Sequence, residues 1–262
     1  MNPLAVERFG DGSKNLVFLH GFTQTGRAWR EIANELVRLL PDVCCIAVDL
    51  PGHGGSSEVV ADLRQTAEFV AQEYGPASFV GYSLGARITL QLLVDHPSLV
   101  HRAMIISGNA GIEDAAQRAA RAQADDLLAD RISRIGVETF IEEWLAQPLF
   151  SDLTSDRAMV VDRHRNTAAG LAMSLRTFGQ GRQAPIWAQL ASSAIPILAV
   201  AGSRDTKYVE LARRIAATAP RGSLRIIPDA GHSAALEKPV LITELIYDWM
   251  TNPNAYNMPT TT

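Results

Sequence analysis

Short, nearly unbroken apolar runs recur along the chain, each closed by glycine, proline, serine or aspartate: "NLVFLHG", "VCCIAVDLPG", "ASFVGYS", "AMIISG", "IPILAVAGS" and "LRIIPDAG". Runs without polar alternation are what strands buried on both faces of a parallel sheet require. Between them the apolar spacing changes to that of helices, over Arg27 to Leu40, Leu63 to Glu73, Leu84 to Asp95, Val209 to Ala219 and Pro239 to Met250. Strands alternating with helices predict a mostly parallel, doubly wound α/β sheet. The opening "LAVERFG" predicts an early antiparallel strand beside the parallel set.

One region breaks this rhythm. From Glu113 to Arg182 no strand pattern occurs, while "AAQRAARAQADDLLA", "VETFIEEWLA" and "LAMSLRTF" carry helical periodicity. A helical insertion between two strands fits a cap over the ligand-binding edge of the sheet; the alternative is a solvent-exposed decoration. The expected organisation is therefore a core of residues 1–112 and 183–252, a helical cap of residues 113–182, and a polar, proline-containing tail, residues 253–262, expected to be disordered.

Composition narrows the classes. At 262 residues and 47% hydrophobic the chain can bury a full core. A net charge of −4 gives no general attraction to nucleic acid or to an anionic membrane, so any anion site is local. No stretch approaches the ~18 apolar residues that span a bilayer and the N-terminus lacks a leader pattern, so a cytoplasmic protein is expected. The two cysteines, Cys44 and Cys45, are adjacent within a strand pattern and should point to opposite faces of the sheet, in the core.

Candidate chemistry begins at Gly81-Tyr82-Ser83-Leu84-Gly85, a G-x-S-x-G pattern with a strand before it and a helix after it. Small residues there allow a sharp strand-to-helix turn that exposes the serine hydroxyl above the sheet. Such a serine needs a histidine to take its proton and a carboxylate to orient that histidine. His232, in "DAGHSAALEKP", follows the last strand pattern and falls at the carboxyl edge of the sheet, where open α/β sheets place their sites. His20 and His53 lie in glycine turns and suit backbone support; His96, His101 and His164 suit helix ends or the surface. Asp205, in "AVAGSRDTKY", follows a strand and keeps the order Ser, Asp, His; Asp229 is the rival and suits a turn. The backbone N–H groups of Leu84 and Phe22 are the expected oxyanion donors, and "DLPGHGGSS" suits a structural loop. No metal-ligand set or phosphate loop accompanies these motifs, so no cofactor is expected.

Arg87 stands one helical turn beyond Ser83, where its side chain can point back toward the elbow. It is either a helix arginine paired with a nearby acid or a binder of a substrate carboxylate. The insertion adds Arg118, Arg121, Arg163, Arg165 and Arg176 together with Trp144 and Phe150; Arg118 and Arg163 are expected to be solvated. Several arginines over a serine site suggest a small-molecule substrate with more than one carboxylate.

The set "LHGF", "DLPGHG", "GYSLGAR", "GSRDTKY" and "GHSAALEKP" resembles the α/β-hydrolase superfamily over nearly the whole chain. A narrower resemblance, carried by "GYSLGAR", "QRAAR", "WLAQPLF", "RNTAAGLAMSLRTFGQG" and "GSRDTKY", is to the 2-succinyl-6-hydroxy-2,4-cyclohexadiene-1-carboxylate synthases of menaquinone biosynthesis. Matching positions imply a Ser83, Asp205 and His232 triad, Phe22 and Leu84 as oxyanion donors, Arg87, Arg121 and Arg165 as carboxylate binders, and Tyr82, Trp144 and Phe150 as pocket walls. It implies a lyase eliminating pyruvate. The chain departs from that pattern where "RNTAAG" is poorer in asparagine and "GQG" replaces "GTG". Two other readings stand beside it: an esterase, thioesterase or carbon–carbon bond hydrolase with Ser83 as nucleophile, and a hydrolase-fold binding protein without catalysis, to which the complete Ser, Asp, His set runs counter.

Overall fold

The apolar runs become strands in a computed structural model that describes residues 4–252 and 256. In chain order the elements are β1 (Val6–Phe9), β2 (Lys14–Leu19), α1 (Arg30–Leu39), β3 (Val43–Val48), α2 (Leu63–Tyr74), β4 (Ala77–Tyr82), α3 (Leu84–Asp95) and β5 (Val100–Ile106). The insertion supplies α4 (Ala115–Ile135), α5 (Val137–Leu145), α6 (Val160–Arg163), α7 (Ala168–Phe178) and α8 (Trp187–Leu190). The chain then returns to the sheet with β6 (Ile197–Gly202), α9 (Thr206–Thr218), β7 (Gly222–Ile227), α10 (Ala234–Glu237) and α11 (Pro239–Thr251).

Among the described residues the strands form one sheet in the order β1-β3-β2-β4-β5-β6-β7, parallel throughout except for β1, which runs antiparallel to β3. Alternation along each strand divides the core in two. Val17, Leu19, Cys44 and Ile46 pack beneath α2 and α3, whereas Leu16, Phe18, Cys45 and Ala47 pack beneath α1 and α11. The adjacent cysteines thus face opposite layers, as a two-residue repeat demands.

From β2 the chain crosses to β3 on one side and then back to β4 on the other, so the loops after β2 and β4 lie side by side at a reversal of strand order. Such a reversal opens a crevice at the carboxyl ends of the strands. The helices α4, α5 and α7 carry a small apolar cluster of their own, with Ile132, Phe140, Ile141 and Leu171 fully or almost fully buried. Helix α9 starts at Thr206, earlier than the apolar spacing from Val209 predicts, because the Asp205 carboxylate accepts the Tyr208 N–H and caps the first turn. The residues expected to form a disordered tail lie outside the described residues except Tyr256, which is buried and whose carbonyl accepts the Ser223 hydroxyl at 2.9 Å.

Two buried histidines fasten the loops at this edge. His20 Nδ1–H donates to the Gly21 carbonyl at 2.8 Å and its Nε2 accepts the Leu50 N–H at 3.0 Å. His53 repeats the pattern, toward the Pro51 carbonyl at 3.0 Å and from the Thr23 N–H at 3.3 Å. Burial pushes their pKa values down from 6.5, to about 4 for His20 and about 3 for His53. The unfolded chain protonates these rings near pH 6.5 and the folded chain does not, so stability falls as pH drops below that value. Urea unfolding between pH 7 and pH 4.5 should show a loss on the order of 1 kcal/mol per pH unit for each histidine, and His53→Asn should halve the slope.

Candidate active site

Ser83 joins β4 to α3 with φ of 50° and ψ of −101°, a backbone conformation in which a side chain is strained. The turn closes this tightly because Gly85 leaves no Cβ to meet the Leu19 carbonyl, and its N–H donates to the His20 carbonyl at 2.9 Å. The hydroxyl is thereby raised over the sheet edge.

His232 reaches it from the loop after β7. Its Nε2 lies 3.1 Å from Ser83 Oγ, and its Nδ1 lies 2.7 Å from Asp205 Oδ2. The ring is 3% exposed, flanked by Tyr82 and by Tyr208, whose centroid is 4.5 Å away. Ser107 Oγ donates to the His232 carbonyl at 3.0 Å, and Glu237 accepts the N–H groups of Gly231 and Ser233 at 2.6 and 2.9 Å, fixing the loop that carries the imidazole. Asp229 takes no part: it occupies a left-handed turn position and pairs with Arg204.

The backbone around the serine is selective in what it leaves free. The N–H groups of Gly21, Thr23, Ser83 and Gly85 all donate within the protein, to Gln24 Oε1, His53 Nε2 and the carbonyls of Ile106 and His20. Those of Phe22 and Leu84, interleaved with them, have no acceptor among the described residues. Two amides on the same cavity wall as the serine are thus left unspent.

A cavity of about 410 Å³ opens over Ser83, walled below by Phe22, Tyr82, Leu84 and His232 and above by the insertion. Phe22, Phe140, Trp144 and Phe150 make a chain of ring contacts across one side, ending 6.3 Å from His232. Arg87, Arg121, Arg163 and Lys207 line it as well. Arg87 is 7% exposed and donates to the Phe178 carbonyl at 2.5 Å, with Gln183 Oε1 at 3.5 Å. Among the described residues it has no carboxylate partner, and burial pulls its pKa down to about 10. Arg121 Nε donates to Asp125 at 2.8 Å and its Nη1 to Gln180 Oε1 at 2.9 Å; Gln180 Nε2 in turn donates to the Tyr208 hydroxyl at 3.1 Å. The "GQG" departure thus places a side chain that ties an insertion arginine to the tyrosine whose ring lies against His232.

Two arginines exchange the positions expected of them. Arg163, expected to be solvated, is 1% exposed and lines the cavity. Its Nε donates to the Ala158 carbonyl at 2.7 Å, Nη1 to the Thr23 hydroxyl, and Nη2 has no partner among the described residues. Asn166 Nδ2 donates to the Thr23 carbonyl at 2.7 Å, so this segment is latched onto the loop after β2 and turns Arg163 inward. Arg165 is not brought into the cavity; it lies against Thr25 and Asp162 on an outer groove. Arg176 pairs with Asp130 and Arg118 with backbone carbonyls, both away from Ser83. Among the described residues no group of three or more His, Cys, Asp or Glu side chains is placed to hold a metal ion, and no helix is long and apolar enough to cross a membrane.

The sequence pattern of the alpha/beta hydrolase family matches residues 16–245. The chain belongs to the α/β-hydrolase family. A 2-succinyl-6-hydroxy-2,4-cyclohexadiene-1-carboxylate synthase from Enterobacter sp. (strain 638) is 34% identical over 87% of this chain and 88% of its own length. One of the same name from Serratia proteamaculans is 32% identical over 91% and 93%. Among solved structures, MenH from S. aureus superposes with a TM-score of 0.86 at 23% identity, covering 95% of this chain and 98% of that one. A thermophilic esterase from Thermogutta terrifontis superposes at 0.80 with 20% identity over 97% and 94%.

In this α/β-hydrolase, the site features that motif reading missed include Arg163, Gln180, Lys207, Asp125, Ser174, Ser107 and Glu237. Glu237 lies inside the "GHSAALEKP" motif and could have been suspected from it; Ser107 acts through a hydroxyl with no sequence signature. Asp205 Oδ2 is the partner of the imidazole Nδ1. Replacing Asp205 with Asn should slow labelling of Ser83 by a fluorophosphonate probe by at least about a hundredfold at neutral pH, with an unchanged far-ultraviolet spectrum; labelling at the parent rate would remove Asp205 from this role.

Proposed function

We propose that this chain is a carbon–oxygen lyase of menaquinone or phylloquinone biosynthesis. It eliminates pyruvate from 2-succinyl-5-enolpyruvyl-6-hydroxy-3-cyclohexene-1-carboxylate to give 2-succinyl-6-hydroxy-2,4-cyclohexadiene-1-carboxylate. The observation that carries the reading is a serine cavity walled by Arg87 and Arg163, both buried without a carboxylate partner among the described residues. Synthases of that name, 32–34% identical over most of the chain, support it.

The change in double bonds between substrate and product dictates the electron flow. The ring carbon bearing the succinyl group loses its proton, and that pair becomes the C2–C3 double bond. The C3–C4 pair moves to C4–C5, and the C5–O bond breaks to release the enol of pyruvate. In this reading His232, oriented by Asp205, draws the proton from Ser83, whose oxygen removes the ring proton. His232 then returns a proton to the departing enolpyruvate oxygen. The succinyl ketone oxygen gains negative charge as the proton leaves, and the amides of Phe22 and Leu84 are positioned to receive it. Arg87, Arg121 and Arg163 hold the carboxylates and fix the reacting carbon over the serine, a positioning effect of large weight. Tyr82, Trp144 and Phe150 shape the apolar side. Residues 113–182 act as the cap that closes over the substrate.

The same elbow and amides would serve an esterase with Ser83 as nucleophile. Side-by-side assays of pyruvate release from the cyclohexene substrate and of hydrolysis of a small aryl ester discriminate the two. We expect pyruvate release to dominate and to fall at least about a hundredfold in Ser83→Ala. Rapid ester turnover without pyruvate release would reject the lyase reading. Arg87→Ala and Arg163→Ala should each lower kcat/KM by about ten- to a hundredfold, the worth of one charge-assisted hydrogen bond, whereas Arg165→Ala should leave it within about twofold. Parent-like kinetics in Arg163→Ala together with a loss in Arg165→Ala would restore the outer arginine to the site.

A further inference from the structure

Six buried side-chain atoms have no hydrogen-bond partner among the described residues, and four of them belong to residues that line the cavity over Ser83. Trp144 Nε1 and Arg163 Nη2 can only donate, and Ser174 Oγ can donate or accept. Carboxylates on a substrate answer all three. The fourth, Asp125 Oδ2, is of the opposite kind. An ionised carboxylate oxygen only accepts, and a ligand that is purely anionic gives it nothing to accept.

The surroundings of Asp125 sharpen the contrast. The residue is 2% exposed, on the inward face of α4. Its Oδ1 accepts Arg121 Nε, but the second arm of that guanidinium turns away to Gln180 instead of closing a two-point pair on Oδ2. The second oxygen lies against Gly179, at the end of α7, where a Cβ would come within 2.5 Å of it. The absence of a side chain at 179 keeps room for Oδ2, and the one-point pairing keeps it unspent. Asp125 is a wall of the cavity, and an unpaired carboxylate oxygen on a wall facing a polyanion repels the ligand unless the ligand brings a donor to it.

We propose that Asp125 is a specificity-determining residue whose Oδ2 accepts a hydrogen bond from a hydroxyl of the substrate ring, so that the cavity selects a hydroxylated polycarboxylate over its hydroxyl-free counterpart. The inference rests on the lyase reading above, whose substrate and product both carry a ring hydroxyl beside the carboxylates. Asp125 also holds Arg121, and the test must separate the two duties. A site built to meet a hydroxyl rejects the analogue lacking it because its own buried group is left unpaired.

The experiment is calorimetric binding of two ligands to the full chain: the product 2-succinyl-6-hydroxy-2,4-cyclohexadiene-1-carboxylate, and 2-succinylbenzoate, which keeps both carboxylates and lacks the hydroxyl. The parent should prefer the hydroxylated ligand by about tenfold or more. Asp125→Ala should bring the ratio of affinities to within about twofold of unity, whereas Arg121→Met should weaken both ligands and keep the parent's ratio. A parent that binds the two equally, or an Asp125→Ala variant that keeps the parent's preference, overturns the proposal and leaves the lyase reading standing. A parent that binds neither ligand overturns both. Should Asp125→Ala fail to fold, the parent's own ratio still decides.

Discussion

The close approach of the first turn of α3 to the carboxyl ends of β2 and β4 is the constraint on which the site depends. It holds Ser83 in a backbone region that costs on the order of 1–3 kcal/mol for a residue with a side chain. It is possible only because Gly81 and Gly85 let backbone meet backbone. The strain is offset by bonds that also build the site. Gly85 N–H ties the turn to the loop after β2, and the His20 ring ties that loop to the one after β3. Once these loops are fastened, the amides of Phe22 and Leu84 are left as the two donors beside the hydroxyl, because their neighbours are consumed by the fastening itself.

Charge is organised on the same local scale. The chain as a whole is acidic, with a net charge of −4, yet the cavity is lined by four cationic side chains and one buried carboxylate, Asp125. Burial depresses the pKa of Arg87 and of Arg163 to about 10, which is still far above neutral pH, so both guanidiniums are charged when no ligand is present. Carbonyl and hydroxyl groups hold them in place without neutralising them. An anion entering the cavity therefore meets cations whose desolvation has already been met in folding, and which need little reorganisation to receive it.

Much of the architecture was legible in the order of residues. Strands buried on both faces must be apolar at successive positions, and helices between them must change period, so the sheet, its neighbours and even the opposite facing of Cys44 and Cys45 followed from alternation alone. The boundary of α9 was misplaced by the apolar spacing because a polar cap, Asp205, begins that helix. Ser83, Asp205 and His232 could be picked out for a related reason: each lies in the connection that leaves the carboxyl end of a strand, and parallel connectivity delivers such ends to one edge whatever lies between them.

The insertion obeys no such rule. Arg163 ends the single turn of α6, entered from Met159 in a left-handed conformation, and Arg165 lies two residues further on, beyond its cap at His164. A two-residue offset there reverses the direction of a side chain, and no long amphipathic period fixes which one faces inward. That choice is made by contacts across the fold, Asn166 and Arg163 on Thr23, between segments about 140 residues apart in the chain. Strand order and local turn chemistry thus determined the sheet and the serine, histidine and aspartate at its edge. Which cations line the cavity over the serine was decided only when the helical insertion packed onto the sheet, because their direction depends on long-range contacts that a linear pattern does not encode.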